Sequence, residues 1–407
     1  MRMIGLLLLA LVAAAVADDA YTLPWFQYEG DSHYEFGLAL GEHFRETIQA
    51  RVAATTALQA TLLPFYATPA GEAIYNTYLA THNRTFPAYV EEVLGMAHGS
   101  AVAFSTLFIL NIIEEYTTSM RVALTDDWLR PAPAVHCTDI VLHTTNTCVV
   151  AHNEDSGLAD VNRTAVVTAK IQGNAWFTAY TYLGDLPSGA FGANDNGVAF
   201  SLNYVEPLDI DSNGLGRGFV SRDLLAARSY EDAIARVTQP NQATGHNIQL
   251  MDTVHGSVAN IEVASFNRSV VTEIAAGDPT FFHTNQYQTL LLRQPMSPSS
   301  FHRLRRYRHL TPPRTIQALL NVLGDQGDPS YPIFHDATSH AAGELSNWTL
   351  LTVIFDVLNR KAYFLQPQVN PRVASVIMVL DLRNVNHVQV LRSVQERVDA
   401  AARLLQL

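Results

Sequence analysis

Cys137 sits where a proline-flanked stretch, DDWLRPAPAVH, gives way to a β-branched run, TDIVLH. A cysteine that opens a strand directly after an exposed connector is placed for self-activation. If the bond between His136 and Cys137 breaks, one residue carries both a thiol and a free α-amine. An α-amine titrates at about 7.7–8.0, so at neutral pH it can take the thiol proton without a histidine partner. The thiolate then attacks an amide carbonyl, and the amine returns the proton to the leaving nitrogen. The chain has one other cysteine, Cys148. In an oxidising compartment the pair could close a disulfide across a short hairpin instead, which would silence this chemistry. Inside TCVVA, Cys148 also reads as a buried strand thiol without reactivity.

Other polar residues are ambiguous when taken singly. Asp155 precedes Ser156 and Gly157, ordinary turn chemistry. Asn285 alone is a loop asparagine, and Arg303, Arg305 and Arg306 read as one solvated helix face. The fifteen histidines are scattered and none, His136 included, has a partner at metal-ligand spacing. Two cysteines exclude a cysteine-rich zinc site, so neither a metal nor an organic cofactor is expected. Gly214, Gly216 and Gly218 lack the preceding strand of a nucleotide-binding turn and read as a loop bordering a pocket.

The elements that must hold Cys137 change character at that residue. From about Tyr34 to Tyr116, apolar residues recur at three and four, with Pro87 at a helix start and Gly99-Ser100 as a break. After Cys137 come strands: CTDIVLH, TCVVAHNE, TAVVTAKIQ, AWFTAYTYL and GANDNGVAFSLNY, the last with an Asn-Gly turn at 196–197. A helix is predicted over SRDLLAARSYEDAIARV, then the strands HNIQLMDT, SVANIEVASF and SVVTEIAA. A helix in PRTIQALLNVLGD precedes a closing hairpin, LLTVIFDVLNRKAYFLQ. Blocks of antiparallel strands with grouped helices predict an α+β layered fold.

Composition sets the setting. The chain has 407 residues, 48% hydrophobic and 16% charged, enough for a large core and unlike a disordered chain. A net charge of -12 argues against nucleic acid or an anionic membrane as main partner. Residues 1–17 resemble a leader: Arg2, an apolar run over 4–16, and Ala15-Val16-Ala17 as a cleavage site. That run is shorter than the ~20 residues of a membrane span. Four glycosylation triplets, at Asn83, Asn162, Asn267 and Asn347, fit the same secretory route. The expected location is therefore secreted, or a lysosomal or vacuolar lumen.

Taken together, the motifs resemble N-terminal-nucleophile hydrolases of the penicillin acyltransferase and β-alanyl-dopamine hydrolase type. The resemblance rests on Cys137-Thr138 followed by His152-Asn153-Glu154-Asp155, on GANDNGVAFSLNY, FFHTNQY, SPSSFHRLRRY and TVIFDVLNRKAYF, in that order, and on the upstream YEFGLALGEHF. It implies a four-layer αββα sandwich: a leader at 1–17, a helical pro-segment at 18–136 and the catalytic layers at 137–407. It also implies roles. Cys137 would be the nucleophile after cleavage at His136-Cys137, Asp155 would hold the α-amine, and Asn285 would stabilise the oxyanion. Arg303 would be the arginine of the Ser-x-x-Arg segment, with Arg305 or Arg306 as alternatives. Thr138, Asn153 and His152 would support or shape the pocket. One departure stands out: where relatives carry Gly-Arg-Asn, this chain has Ala151-His152-Asn153, and a histidine is not ordinarily a permanent cation.

The expected function is thus a self-processing amidohydrolase or acyltransferase acting on a small N-acyl amide through a thioester on Cys137, its two fragments remaining together, as a monomer or a homo-oligomer. Two other readings remain. One is an acid-ceramidase-like lipid amidase, which needs a strongly apolar groove beside Cys137. The other is a silent secreted glycoprotein, which predicts an occluded or disulfide-bonded Cys137.

Overall fold

The computed structural model describes residues 22–124, 137–336 and 347–406; the leader and His136 lie outside them. The N-terminal segment opens on a strand, β1 (Trp25–Gly30), and not on a helix. Its outward residues are Trp25, Gln27 and Glu29, while Phe26 and Tyr28 pack on the helical core. Six residues with a polar outer row carry too weak an alternation to be read from sequence, and this strand is a correction to an all-helical pro-segment. Helices α1 (His33–His43), α2 (Arg45–Ala54), α3 (Pro69–Thr85), α4 (Pro87–Ser100), α5 (Phe104–Asn111) and α6 (Ile113–Leu124) follow. Ser32 and Thr68 cap α1 and α3 by accepting backbone N–H groups, and prolines begin α3 and α4.

Downstream, the strands are β2 (Thr138–His143), β3 (Cys148–Gly157), β4 (Thr164–Ile171), β5 (Phe177–Tyr182), β6 (Phe191–Asn194) and β7 (Val198–Tyr204). Gly197, with φ +82°, makes the turn between the last two. The next helix divides into α7 (Arg217–Leu224) and α8 (Tyr230–Val237), because Ser229 caps the second through the Asp232 N–H. Then come β8 (His246–Asp252), β9 (Ser257–Ala264), β10 (Arg268–Glu273), β11 (Phe281–His283), α9 (Pro298–Arg308) and α10 (Ile316–Leu323). The chain closes with β12 (Asn347–Asp356), β13 (Lys361–Leu365), β14 (Val376–Asp381), β15 (Val388–Val390) and α11 (Val394–Leu405).

Two sheets result, ordered β1-β4-β5-β6-β7-β8-β9-β10 and β11-β2-β3-β12-β13-β14-β15. Side-chain parity separates three cores. Val167, Phe200 and Leu250 join the N-terminal helices on one outer face; Val166, Ala199 and Met251 meet Val150, Val353 and Phe355 between the sheets. Ile140, Val149 and Ile354 pack under α10 and α11 on the other outer face. This is the α-β-β-α sandwich that the family resemblance implied, within the α+β layering that the sequence pattern predicted.

The helical layer is pinned by one close crossing. Gly37 and Gly41 on α1 face Gly95 and Gly99 on α4, and a Cβ on Gly95 would lie 2.0 Å from the Tyr34 carbonyl oxygen. Gly95→Ala must therefore push the two helices apart. It should destabilise the protein by about 1–3 kcal/mol, as other overpacked contacts do. Denaturant unfolding measures this directly; an unchanged midpoint would contradict the crossing.

Candidate active site

Cys137 precedes β2, whose pairing with β3 runs from Thr138 opposite Asn153 to His143 opposite Cys148. The cysteines therefore lie at opposite ends of one hairpin, and both are free and buried. No disulfide closes. Strand parity then distributes the polar residues. On β3, His152 and Glu154 point between the sheets, while Asn153 and Asp155 point toward α9 and α10.

Arg303 is the fixed point on the outer side. Its guanidinium is fully buried and donates to the Cys137 carbonyl at 2.7 Å, the Thr138 hydroxyl at 2.8 Å and Asn285 Oδ1 at 2.8 Å. Its Nε donates to Ser299 Oγ at 3.1 Å, one helical turn earlier on α9. The neighbouring arginines point elsewhere: Arg306 pairs with Asp325, and the exposed Arg305 lies 3.8 Å from Asp328. Of the three, Arg303 is the one that faces Cys137. With its oxygen held by Arg303, Asn285 turns its Nδ2 to the Tyr204 carbonyl at 2.9 Å, leaving a second N–H on that amide.

Asp155 pairs opposite Thr349 in the β3–β12 ladder and is buried. Neither carboxyl oxygen has a partner in hydrogen-bonding geometry; His335 Nε2 lies 3.8 Å from one of them. Burial pushes this carboxyl well above its ordinary range, against the opposing pull of the Thr349 hydroxyl and the Arg303 charge. The Cys137 thiol lies 3.7 Å from the Asp155 carbonyl oxygen. Burial, and then the charge of Glu154, push it up to about 12, so at neutral pH it is a thiol that needs a base.

His152 corrects the sequence reading. Its Nδ1 meets Asp139 Oδ1 at 2.9 Å and its Nε2 meets Glu154 Oε2 at 2.7 Å, with all three residues buried. Burial alone would lower its pKa, but Asp139 and the hydrogen bonds to it, to Cys137 and to Glu154 outweigh burial and raise it well above the ordinary value. Clamped by two carboxylates, this histidine is held toward its protonated form. Asp139 also accepts from Ser201 Oγ and Asn203 Nδ2, each at 2.7 Å, and Glu154 accepts from the Tyr182 hydroxyl. Sequence reasoning missed these partners. The available signal was polar residues on the inward parity of otherwise apolar strands.

Cys137, His152 and Glu154 present ligand atoms within 4.8 Å of one another. A metal ion there would have to displace the proton that Asp139 and Glu154 hold on His152, so the trio reads first as an ion-pair array. Asn153 and Thr138 support the site without lining it: Asn153 donates to the Leu323 carbonyl at 2.9 Å and accepts from Thr352 at 2.8 Å.

Cys137 opens into a cavity of about 510 Å³ between the helical layer and the strand ends. Its walls include Arg51, Leu110, Glu114, Tyr204, Arg217 and Asn347; of the Gly214–Gly218 segment only Arg217, the first residue of α7, reaches it. Arg51 braces the rim, donating to Asp160 and Asp185 at 2.6 Å each. Of the four glycosylation triplets, Asn83, Asn162 and Asn267 are exposed. Asn347 is a correction: paired opposite Gly157 in β12, it is 7% exposed and part of the pocket wall, where no glycan fits.

A pH-dependent outcome follows from the His152 clamp. Because folding raises its pKa, its stabilisation is complete below the unfolded value of about 6.5, declines above it, and is gone above the raised folded value. His152→Asn should cost about 3–5 kcal/mol at pH 6, leaving two buried carboxylates facing each other, and less at alkaline pH. Denaturant unfolding of both proteins at pH 6 and pH 9 checks this; a loss independent of pH would contradict the clamp.

Residues 142–370, more than half of the chain, match the family model described as acyl-coenzyme A:6-aminopenicillanic acid acyl-transferase. The β-alanyl-dopamine/carcinine hydrolase of Drosophila melanogaster is 27% identical over 335 residues, covering 77% of this chain and 85% of that protein. Among solved structures, the Caenorhabditis elegans ortholog of N-acylethanolamine-hydrolyzing acid amidase aligns at 12% identity and a TM-score of 0.38, over 63% of this chain and all of that one. A mutant conjugated bile acid hydrolase of Clostridium perfringens aligns at 13% and 0.35, over 63% and 97% of the two chains. The family match spans the residues His152, Asp155, Asn285 and Arg303, and with it the chain belongs to the acyl-coenzyme A:6-aminopenicillanic acid acyl-transferase family.

Proposed function

We propose that the protein is a self-processing N-terminal-nucleophile amide hydrolase that forms a thioester on Cys137. The observation that carries this reading is the placement of Cys137. It is a free thiol at the head of β2, opening into a pocket, with its carbonyl tied to Arg303 and an unpartnered Asp155 carboxyl beside it. Self-cleavage begins with Cys137 Sγ attacking the His136 carbonyl carbon. The acyl group moves from nitrogen to sulfur, the nitrogen takes up the thiol proton, and water hydrolyses the ester to a carboxylate and a free thiol. The new ammonium can satisfy Asp155, which supports the reading: a buried carboxyl that meets at most the Thr349 hydroxyl is costly until a cation reaches it.

In turnover, the α-amine accepts the proton from a thiol that burial holds near 12, and the thiolate adds to the substrate carbonyl. The free N–H of Asn285 stabilises the oxyanion. The amine then protonates the leaving nitrogen. Water, deprotonated by the same amine, cleaves the thioester to acid and thiol. The N-terminal fragment stays attached, since β1 is a strand of the first sheet and α1 to α6 share its core.

For substrate we propose a small polar N-acyl amide, with the β-alanyl-dopamine named for the Drosophila relative as the first to test. A fatty-acyl amide is the second class to test, since Leu110, Ile113, Leu158 and Leu202 line the pocket beside Glu114, Glu154 and Asp155. Free cysteines disfavour a silent glycoprotein closed by a disulfide. The leader-like N-terminus and three exposed glycosylation triplets support a secreted or lysosomal location. Among the described residues no helix is long and apolar enough to cross a membrane.

N-terminal sequencing of the mature protein should find a fragment beginning at Cys137. Cys137→Ala should give one uncut chain and slow hydrolysis of β-alanyl-dopamine by at least about a thousandfold. An uncut wild type that is fully active, or a mutant that keeps its activity, would overturn the reading.

A further inference from the structure

Beside the Cys137 pocket, the side of β7 facing α6 carries a group of buried polar atoms that bind nothing. Tyr204 lines the pocket; its hydroxyl is buried and has no hydrogen-bond partner. His246, directly opposite Tyr204 in the β7–β8 register, is buried with both ring nitrogens unpartnered. Glu115 uses one oxygen to accept the Arg217 backbone N–H at 2.8 Å, and its other oxygen has no donor. Glu206 accepts from the Thr118 hydroxyl at 3.4 Å and lies 3.6 Å from Arg121, and again its second oxygen has none. Buried polar atoms without partners are rare, and this group lies behind the stretch of cavity wall made by Tyr204, Glu114 and Arg217, which marks a place that a ligand completes.

The kind of ligand follows from which atoms are unpaired. The two carboxylate oxygens can only accept, whereas the Tyr204 hydroxyl and the neutral His246 imidazole each offer one acceptor and one donor, and Arg217 Nε is a further unpaired donor. Arg217 is otherwise committed to Glu114 and to the face of the Tyr204 ring, 5.4 Å away. Three carboxylates, of Glu114, Glu115 and Glu206, face two guanidiniums, of Arg121 and Arg217, which leaves an excess negative charge. Burial drives the Glu206 carboxyl upward and that of Glu115 to about 7, as expected where a counter-charge is lacking.

We propose that an ammonium-binding subsite, formed by Glu115, Glu206 and His246 behind the Tyr204 wall of the pocket, takes the free amino group of a cationic substrate. This deepens the hydrolase reading and rests on it for the claim that the bound cation is substrate. The carbonyl of Tyr204 already accepts from Asn285, so the subsite adjoins the amide assigned to the oxyanion. A substrate held there by its ammonium presents its carbonyl to Cys137 at a fixed reach, which selects short amino-acyl groups over neutral ones of equal length.

Two measurements test this on the mature protein. n-Butylammonium chloride should raise the unfolding temperature in a saturable way, against sodium chloride at equal ionic strength, whereas n-butanol should not. Glu206→Gln should lose the effect. In turnover, β-alanyl-dopamine should exceed its isostere butanoyl-dopamine in kcat/KM by at least about tenfold, with that ratio collapsing in Glu206→Gln. Equal stabilisation by the alcohol, equal kcat/KM for the two amides, or a preference that survives in Glu206→Gln would each overturn the subsite. Equal hydrolysis of both amides would leave the Cys137 reading standing. Stabilisation by butylammonium with hydrolysis of neither amide would uphold the subsite and overturn the hydrolase reading.

Discussion

The site depends on one buried guanidinium. Arg303 brings together three segments that are far apart in sequence: the residue that opens β2, the loop after β11 and the first turns of α9. A full charge out of water is tolerated only where hydrogen bonds absorb it, and here its partners are the Cys137 carbonyl, the Thr138 hydroxyl, Asn285 and Ser299. That condition fixes the backbone position of the cysteine and the orientation of the asparagine amide together. Movement of either would strand part of a buried charge, so the two groups assigned to attack and to oxyanion stabilisation are held in one frame.

Between the sheets a second ion array opposes the chemistry that the first one permits. Asp139, His152 and Glu154 share their charge in a space that apolar cores surround. Glu154 raises the thiol's pKa while His152 lowers it, and burial exceeds both. The thiol therefore waits for a base, and a chain terminus at Cys137 would supply one at the reacting residue. Burial keeps the histidines on the other sides neutral: His335 is held near 3 by burial and the Arg303 charge, and His246 near 3 by burial and Arg217. Neither is a proton acceptor of the right strength at neutral pH.

Much of this was legible in the sequence, for identifiable reasons. The layered fold followed from period-two strands and grouped helices. Cys137, Asp155, Asn285 and Arg303 lie in short motifs whose order survives when single letters do not. Ser299 and Ser300 on the Arg303 side of α9 were the cue separating it from Arg305 and Arg306. The charge of His152 was not legible, because it depends on Asp139, thirteen residues earlier, meeting it across a hairpin. Burial of Asn347 was hidden because its triplet looks like any surface acceptor. The α1–α4 crossing was hidden because glycines inside a helix carry no sign of what they approach.

The most direct test of the central claim is peptide mapping of mature protein mixed with β-alanyl-dopamine and quenched in acid. The account predicts a peptide whose first residue is Cys137, with a free amino terminus and an acyl group on sulfur that hydroxylamine releases. An acyl group on any other residue, or a peptide that still runs through the 136–137 bond in fully active protein, would contradict it.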